Sequence, residues 1–213
     1  MTTLELHGVA YELAFWKEFV KTDRFITGWV GKEKTPELNN KVAEFILANK
    51  NDNMLDVGSG AVSLLNGLSN KSNLIAADPL GELYQIVFDY NKYNIPAPLT
   101  YPAEELPYDN EFDIVHISNA LDHSQDPKLA VEKLLKATKS GGYLIIQGFE
   151  CEGTFENWIG FHQWDLQYKP HGLTLTNKHG EETVLLDSAD ITIGSSEDIG
   201  GDKKWLICIV KKK

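Results

Sequence analysis

The 213-residue sequence predicts an α/β fold: a doubly wound, mostly parallel sheet with helices on both faces, antiparallel C-terminal strands and an added hairpin. Three observations predict it. Between residues 54 and 149, short apolar runs alternate with segments of helical period, the pattern of right-handed strand–helix–strand crossovers. The runs "MLDV", "FDIVHIS" and "YLIIQGF" are almost continuously apolar, as strands covered on both faces are. After residue 150 the rhythm changes to strand, glycine-containing turn, strand, which reads as antiparallel hairpins.

Each element follows from local chemistry. Residues 9–20 repeat Val9, Leu13, Trp16 and Val20 at helical spacing. A second helix is predicted over residues 36–50, with Thr35 as N-cap, Pro36 at the first helical position and a buried stripe of Leu38, Val42, Phe45 and Ile46. "NDN" ends it, and residues 54–57 form the first strand. Then follow a helix over 62–68, a strand over 73–78, a helix over 81–93, a weak strand over 97–101 and a strong strand over 112–118. Asp126 caps a helix that starts at Pro127 and runs to 138, "SGG" stops it, and 143–149 is the next strong strand. Residues 172–186 form a hairpin turning near His179 and Gly180, and residues 189–210 form a longer one. No linker interrupts the pattern, so one domain over 1–213 is expected.

Composition limits the function. Hydrophobic residues at 42% and charged residues at 24% fit an ordinary globular chain. A net charge of −11 argues against nucleic-acid binding through a broad basic face. No apolar run approaches the roughly 20 residues of a membrane span. "MTTLELHG" lacks the basic and apolar regions of a secretory leader, which makes a cytoplasmic location the expectation. Cys151 and Cys208 are far apart and in no metal-binding or disulfide pattern, so no metal is expected from cysteine spacing. Arg24 is the only arginine and so the only side chain able to fork onto an anion.

The first strand runs into Gly58-Ser59-Gly60, and such turns let a ligand approach backbone N–H groups. The dinucleotide fingerprint G-x-G-x-x-G is incomplete, because Ser63 holds its third position. Asp56 precedes the turn, and Asp78 ends the second strand, where an acidic side chain can accept hydrogen bonds from ribose. The turn alone leaves the ligand open.

"LDVGSG", "AADPL", "AEELPYDNEFDIV", "NALDHSQDP" and "KSGGYLIIQ" stand in the order and spacing of a known family. Over residues 36 to 150 the chain resembles class I S-adenosylmethionine-dependent methyltransferases, within the small-molecule enzymes of the methyltransferase type 11 group. The resemblance implies a Rossmann-like core over 36–150, an N-terminal lid or cap over 1–35, and an acceptor-binding loop, hairpin and strands over 151–213. It implies Asp56, Gly58, Ser59 and Gly60 around the methionine moiety of S-adenosylmethionine and Asp78 on the ribose. Pro79 and Leu80 would lie against the adenine, with the Ala103 N–H and Glu104 on its edge and Asn119 near the sulfonium. Val62 replaces the family's third glycine. Pro102 replaces the acidic residue that usually holds the adenine amino group, which leaves Glu104 as its substitute.

Methyl transfer to a hydroxyl needs a proton acceptor. His123 in "NALDHSQDP" and His162 in "GFHQWDLQYKPHG" compete for that role. His162 is favoured, with Asp165 orienting it, Trp164 as an apolar wall, and His123 lining the cofactor pocket. His116 reads as a packed strand residue and Asp122 as a helix cap. Tyr11, Trp16 and Arg24 are expected to shape the acceptor pocket. The acceptor is expected to be a small polar molecule, with oxygen of a sugar or of its phosphate-bearing derivative as the first choice. A nicotinamide-dependent dehydrogenase and a non-catalytic cofactor-binding subunit are the alternatives. The oligomeric state is open.

Overall fold

A computed structural model describes residues 3–30, 38–49, 53–68 and 73–213. The central sheet has six strands, β1 (Met54–Val57), β2 (Leu74–Ala77), β3 (Phe112–Ser118), β4 (Thr138–Phe149), β8 (Ile193–Gly200) and β9 (Lys203–Lys211). Their order is β2-β1-β3-β4-β9-β8. The first four are parallel, and the β8–β9 hairpin extends the sheet antiparallel to β4. β2 and β3 flank β1 on opposite sides, so the chain reverses its winding at β1. The crevice beyond the carboxyl ends of β1 and β3 is where doubly wound sheets take their ligands.

Strand residues alternate between two apolar layers. Met54, Ile114, Ile145 and Ile207 pack with α1 (Thr3–Phe19), α2 (Asp23–Gly28), α3 (Asn40–Ala48) and α4 (Gly81–Val87). Leu55, Val115, Leu144 and Cys208 pack on the other face with Ala130, Val131 and Leu134 of α6 (Pro127–Ala137). A separate antiparallel sheet of β5 (Trp164–Lys169), β6 (Gly172–Asn177) and β7 (Glu182–Asp187) adds Leu166, Leu173 and Leu186 to that second layer.

Several local expectations change. Thr35 and Pro36 lie outside the described residues; α3 begins after Asn39, whose side chain accepts from the Lys41 N–H. No helix forms over 62–68. Ser63 Oγ takes the Leu65 N–H, and Ser63 and Leu65 carbonyls accept from Asn66 and Leu68, so side-chain capping favours tight turns there. The 81–93 helix is two helices. Phe88 is extended, and Asp89 caps α5 (Tyr90–Tyr93). Residues 97–101 make only a single bridge, Leu99 to Ala77, because Pro96, Pro98 and Pro102 lack ladder donors. "SGG" lies inside β4, which begins immediately after α6. The 160–172 segment, expected as a loop, contains β5, and the 172–186 hairpin joins it in the separate sheet rather than extending the central one.

Candidate active site

The turn after β1 is built for close approach. Gly58 and Gly60 both have φ of +62°, which L side chains rarely adopt. A Cβ on Gly58 would meet the Ala120 Cβ at 2.3 Å, and one on Gly60 would meet Trp16 Cζ2 at 2.0 Å. Ser59 N–H donates to the Ala77 carbonyl, which pins the turn to β2. The buried Asp78 carboxylate accepts from the backbone N–H of Gly60 and of Leu80, each at 2.9 Å. Burial raises the Asp78 pKa to about 6, against those two bonds, and the nearby charge of Glu12 raises it further. Gly60→Ala is therefore expected to cost about 1–3 kcal/mol of overpacking and to weaken cofactor binding. Thermal unfolding with and without S-adenosylmethionine checks this; unchanged melting and affinity would mean that Trp16 yields freely.

Asp56 is committed to the protein's own network. Ser63 Oγ donates to one of its oxygens. The other lies 2.6 Å from Nδ1 of His116. Trp205 donates to Gln147 Oε1, which orients the amide so that its nitrogen donates to His116 Nε2. That puts the imidazole proton on Nδ1, facing Asp56. The line Asp56–His116–Gln147 crosses three strands, with every member at most 2% exposed. Asp56 thus braces the strand end beneath the glycine turn, and His116 is more than a packed residue.

Asp56 and the glycine turn line one cavity of about 1570 Å³, together with Asp78, Pro79, Leu80 and Ala103. That exceeds the roughly 300–1,000 Å³ that one small ligand needs. Glu104 also lines it, but its Oε1 accepts from the N–H groups of Gln125 and Asp126, clasping the start of α6. Asn119 at the end of β3 has φ of +51°, and its side chain holds the Phe149 N–H. Helix α1 roofs the cavity. Trp16 is buried against Gly60 and packs edge-on to Tyr84, Phe25 and Trp29, so it covers the glycine turn rather than the acceptor end. Tyr11 and Arg24 are exposed residues on the cavity wall.

Asp122, His123 and His162 gather just after β3, beyond the Ala120 that abuts Gly58, and the two histidines line the cavity. Nδ1 of His162 lies 2.7 Å from Asp122 Oδ2 and 3.1 Å from His123 Nε2. Burial works to lower the His162 pKa, but the hydrogen bond and charge of Asp122 outweigh it and the net shift is upward. Asp165, expected to orient His162, instead takes the N–H and hydroxyl of Thr154 and so anchors α7 (Glu152–Phe155). Strand alternation explains this: Asp165 sits on β5, whereas His162 precedes the strand. Trp164 is not a cavity wall; its indole N–H donates to the Ser124 carbonyl at 2.8 Å, and its ring packs on the second apolar layer. Sequence patterns do not single out Glu12 and Glu152. Glu152 is 6% exposed, lines the cavity, and leaves Oε2 without a partner among the described residues. Burial raises its pKa, against a hydrogen bond from Asn119.

A doubly wound sheet, a glycine turn at its switch point and an acidic residue ending the adjacent strand define an α/β enzyme that binds a nucleoside cofactor. The methyltransferase domain model matches residues 32–180, and the chain belongs to that family of S-adenosylmethionine-dependent methyltransferases. No curated protein matches it. Among solved structures it is similar to an S-adenosylmethionine-dependent methyltransferase from Aquifex aeolicus, with a TM-score of 0.52 and 16% identity over 93% of this chain and 98% of that one. One from Clostridium acetobutylicum has a TM-score of 0.53 and 13% identity over 83% and 93%. The [4+2]-cyclase SpnF has a TM-score of 0.58 and 14% identity over 99% and 96%. These likenesses show the fold. A cyclase among them means that the acceptor chemistry must be argued from the site. No described helix is long and apolar enough to cross a membrane.

Proposed function

We propose that this chain transfers the methyl group of S-adenosylmethionine to a hydroxyl of a small, neutral, hydroxyl-rich acceptor, a sugar rather than its phosphate. The carrying observation is one cavity lined by the glycine turn, Asp78, His123 and His162, with Asp122 bonded to His162 behind it. Glu12, Glu152 and Glu156 line it, against Lys203 and Arg24, a balance that disfavours a phosphate near the cluster. Tyr11, Phe149, Phe161 and Trp205 supply flat apolar walls for a sugar face.

Bound S-adenosylmethionine supplies an electrophilic methyl group. Gly58, Ser59 and Gly60 take its methionine moiety, with Asp56 bracing them. Asp78 accepts from the ribose hydroxyls. Pro79 and Leu80 flank the adenine, Ala103 offers it a backbone N–H, and Asn119 stands near the sulfonium. His162, backed by Asp122, receives the acceptor's hydroxyl proton.

Incubation of the purified chain with methyl-labelled cofactor and matched panels of sugars, sugar phosphates and amines tests the reading. Label on neutral sugar hydroxyls is expected. Label confined to amines or phosphates overturns the acceptor class. Cofactor binding with no transfer would mark a non-catalytic subunit.

A further inference from the structure

We propose that Asp122, His123 and His162 form a binding site for a divalent transition-metal cation at the acceptor end of the cavity. Asp122 Oδ2, His123 Nε2 and His162 Nδ1 converge on one point. Their separations are 2.7 Å for Asp122 to His162, 3.1 Å between the two nitrogens, and 3.4 Å for Asp122 to His123. Oxygen and nitrogen ligands at about 2.0–2.2 Å from one ion, with octahedral or tetrahedral angles between them, stand about 2.8–3.6 Å apart. Both edges to His123 fall in that window, and the third, Asp122 to His162 at 2.7 Å, falls just short of it. One proton shared among these atoms satisfies one contact at a time, whereas a cation satisfies all three lone pairs together. Two imidazoles and one carboxylate, with both imidazoles lining the cavity, suit iron, manganese, cobalt or zinc rather than the all-oxygen shells of magnesium and calcium.

A second observation points to the same ligand. Glu152 has a buried carboxylate oxygen without a partner among the described residues, and it is close enough for its charge to act on both His162 and Asp122. The remaining ring nitrogen of His123 faces Glu12 at 3.9 Å, the direction from which carboxylates orient metal-bound imidazoles. The frame is fixed by the two residues that follow His162. Gln163 N–H donates to the Asp122 carbonyl, and the Trp164 indole donates to that of Ser124. Chain spacing gives no hint of metal, because His123 and His162 are 39 residues apart and meet only through folding.

This inference rests on the proposal that the cluster faces the acceptor. With the cation in place, both imidazoles are ligands and the acceptor hydroxyl takes an open coordination position. The oxygen–methyl bond forms as the sulfur–methyl bond breaks; the hydroxyl proton, which His162 takes in the cation-free site, passes to Glu152 when the cation occupies the imidazole.

The test titrates the untagged, metal-stripped chain with cobalt(II) chloride, following visible ligand-field absorption, and with manganese(II) and zinc chlorides by calorimetry. One site per chain is expected. His123→Ala should weaken it by at least the 10- to 100-fold that loss of an outer-shell partner costs. Glu152→Gln should weaken it less, and S-adenosylmethionine affinity serves as the folding control. Absence of binding to the unaltered chain, or binding that survives both His123→Ala and Asp122→Asn, overturns the site. Methyl transfer to a hydroxyl acceptor that persists in chelator overturns the cation and leaves the proposed function standing. Cation binding in a chain that methylates no hydroxyl does the reverse.

Discussion

Replacing His162 with alanine lowers turnover about 10²- to 10⁴-fold, the range for removing a group that handles the reacting proton. Affinity for S-adenosylmethionine is expected to stay unchanged, because the His162 ring is engaged by Asp122 and His123 rather than by Gly58, Gly60 or Asp78. The backbone there is held independently by Gln163 and Trp164, so the variant keeps its fold. Single-turnover transfer of labelled methyl, with calorimetric cofactor binding alongside, separates the two quantities. Near-normal turnover in the variant would remove the cluster from the chemistry, whether it acts as a base or through a cation. His123→Ala is expected to join the turnover class. The sequence points to a cofactor role for His123, but its ring touches His162 and Phe161 and faces Glu12, none of which the sequence places on the cofactor.

The elements legible in the sequence are those in which one local rule decides. Strands β1, β3 and β4 follow from apolar runs that both faces of the sheet must bury. Helix α6 follows from the Asp126 cap and Pro127, as its Asp126–Leu129 hydrogen bond bears out. Segments with competing signals fold otherwise. Residues 62–68 carry apolar spacing, but Ser63 Oγ accepts from the Leu65 N–H and donates to Asp56, which favours a tight turn over a helical ladder. The same limit applies to the site. Gly58, Gly60 and Asp78 lie within one strand–turn–strand unit, so sequence order alone brings them together. The partner of His162 is set by where the segment before β5 crosses the turn after β3. Proximity in the chain favours Asp165, and tertiary packing supplies Asp122, 40 residues away. Glu152 carries no sequence signal at all. Its importance emerges only when its burial and its unpartnered oxygen are seen together.

Asp78→Ala is expected to weaken S-adenosylmethionine binding about 10- to 150-fold, the equivalent of roughly 1.5–3 kcal/mol for hydrogen bonds to a charged group. Asp78→Asn serves as a control, since it keeps one acceptor oxygen for the turn while removing the charge. The raised pKa adds a pH signature. Below its unfolded value near 3.9 the carboxyl is protonated in both states. Between that value and about 6 the folded chain holds a proton that the unfolded chain has released. The free protein therefore loses stability as pH rises through this window, at a limiting slope on the order of 1.4 kcal/mol for each pH unit. Ribose hydroxyls donate to the ionised carboxylate, so the cofactor selects the deprotonated form and binding runs the opposite way. Its affinity should be constant above about pH 7 and fall toward a limit of about tenfold per pH unit as pH drops below 6, with this dependence absent in Asp78→Ala. Calorimetry at about pH 5 and about pH 7.5 on the unaltered chain and both variants reads the effect. An affinity that is flat across that range and insensitive to the alanine would show that Asp78 serves only to hold Gly60 and Leu80, and that the ribose is bound elsewhere.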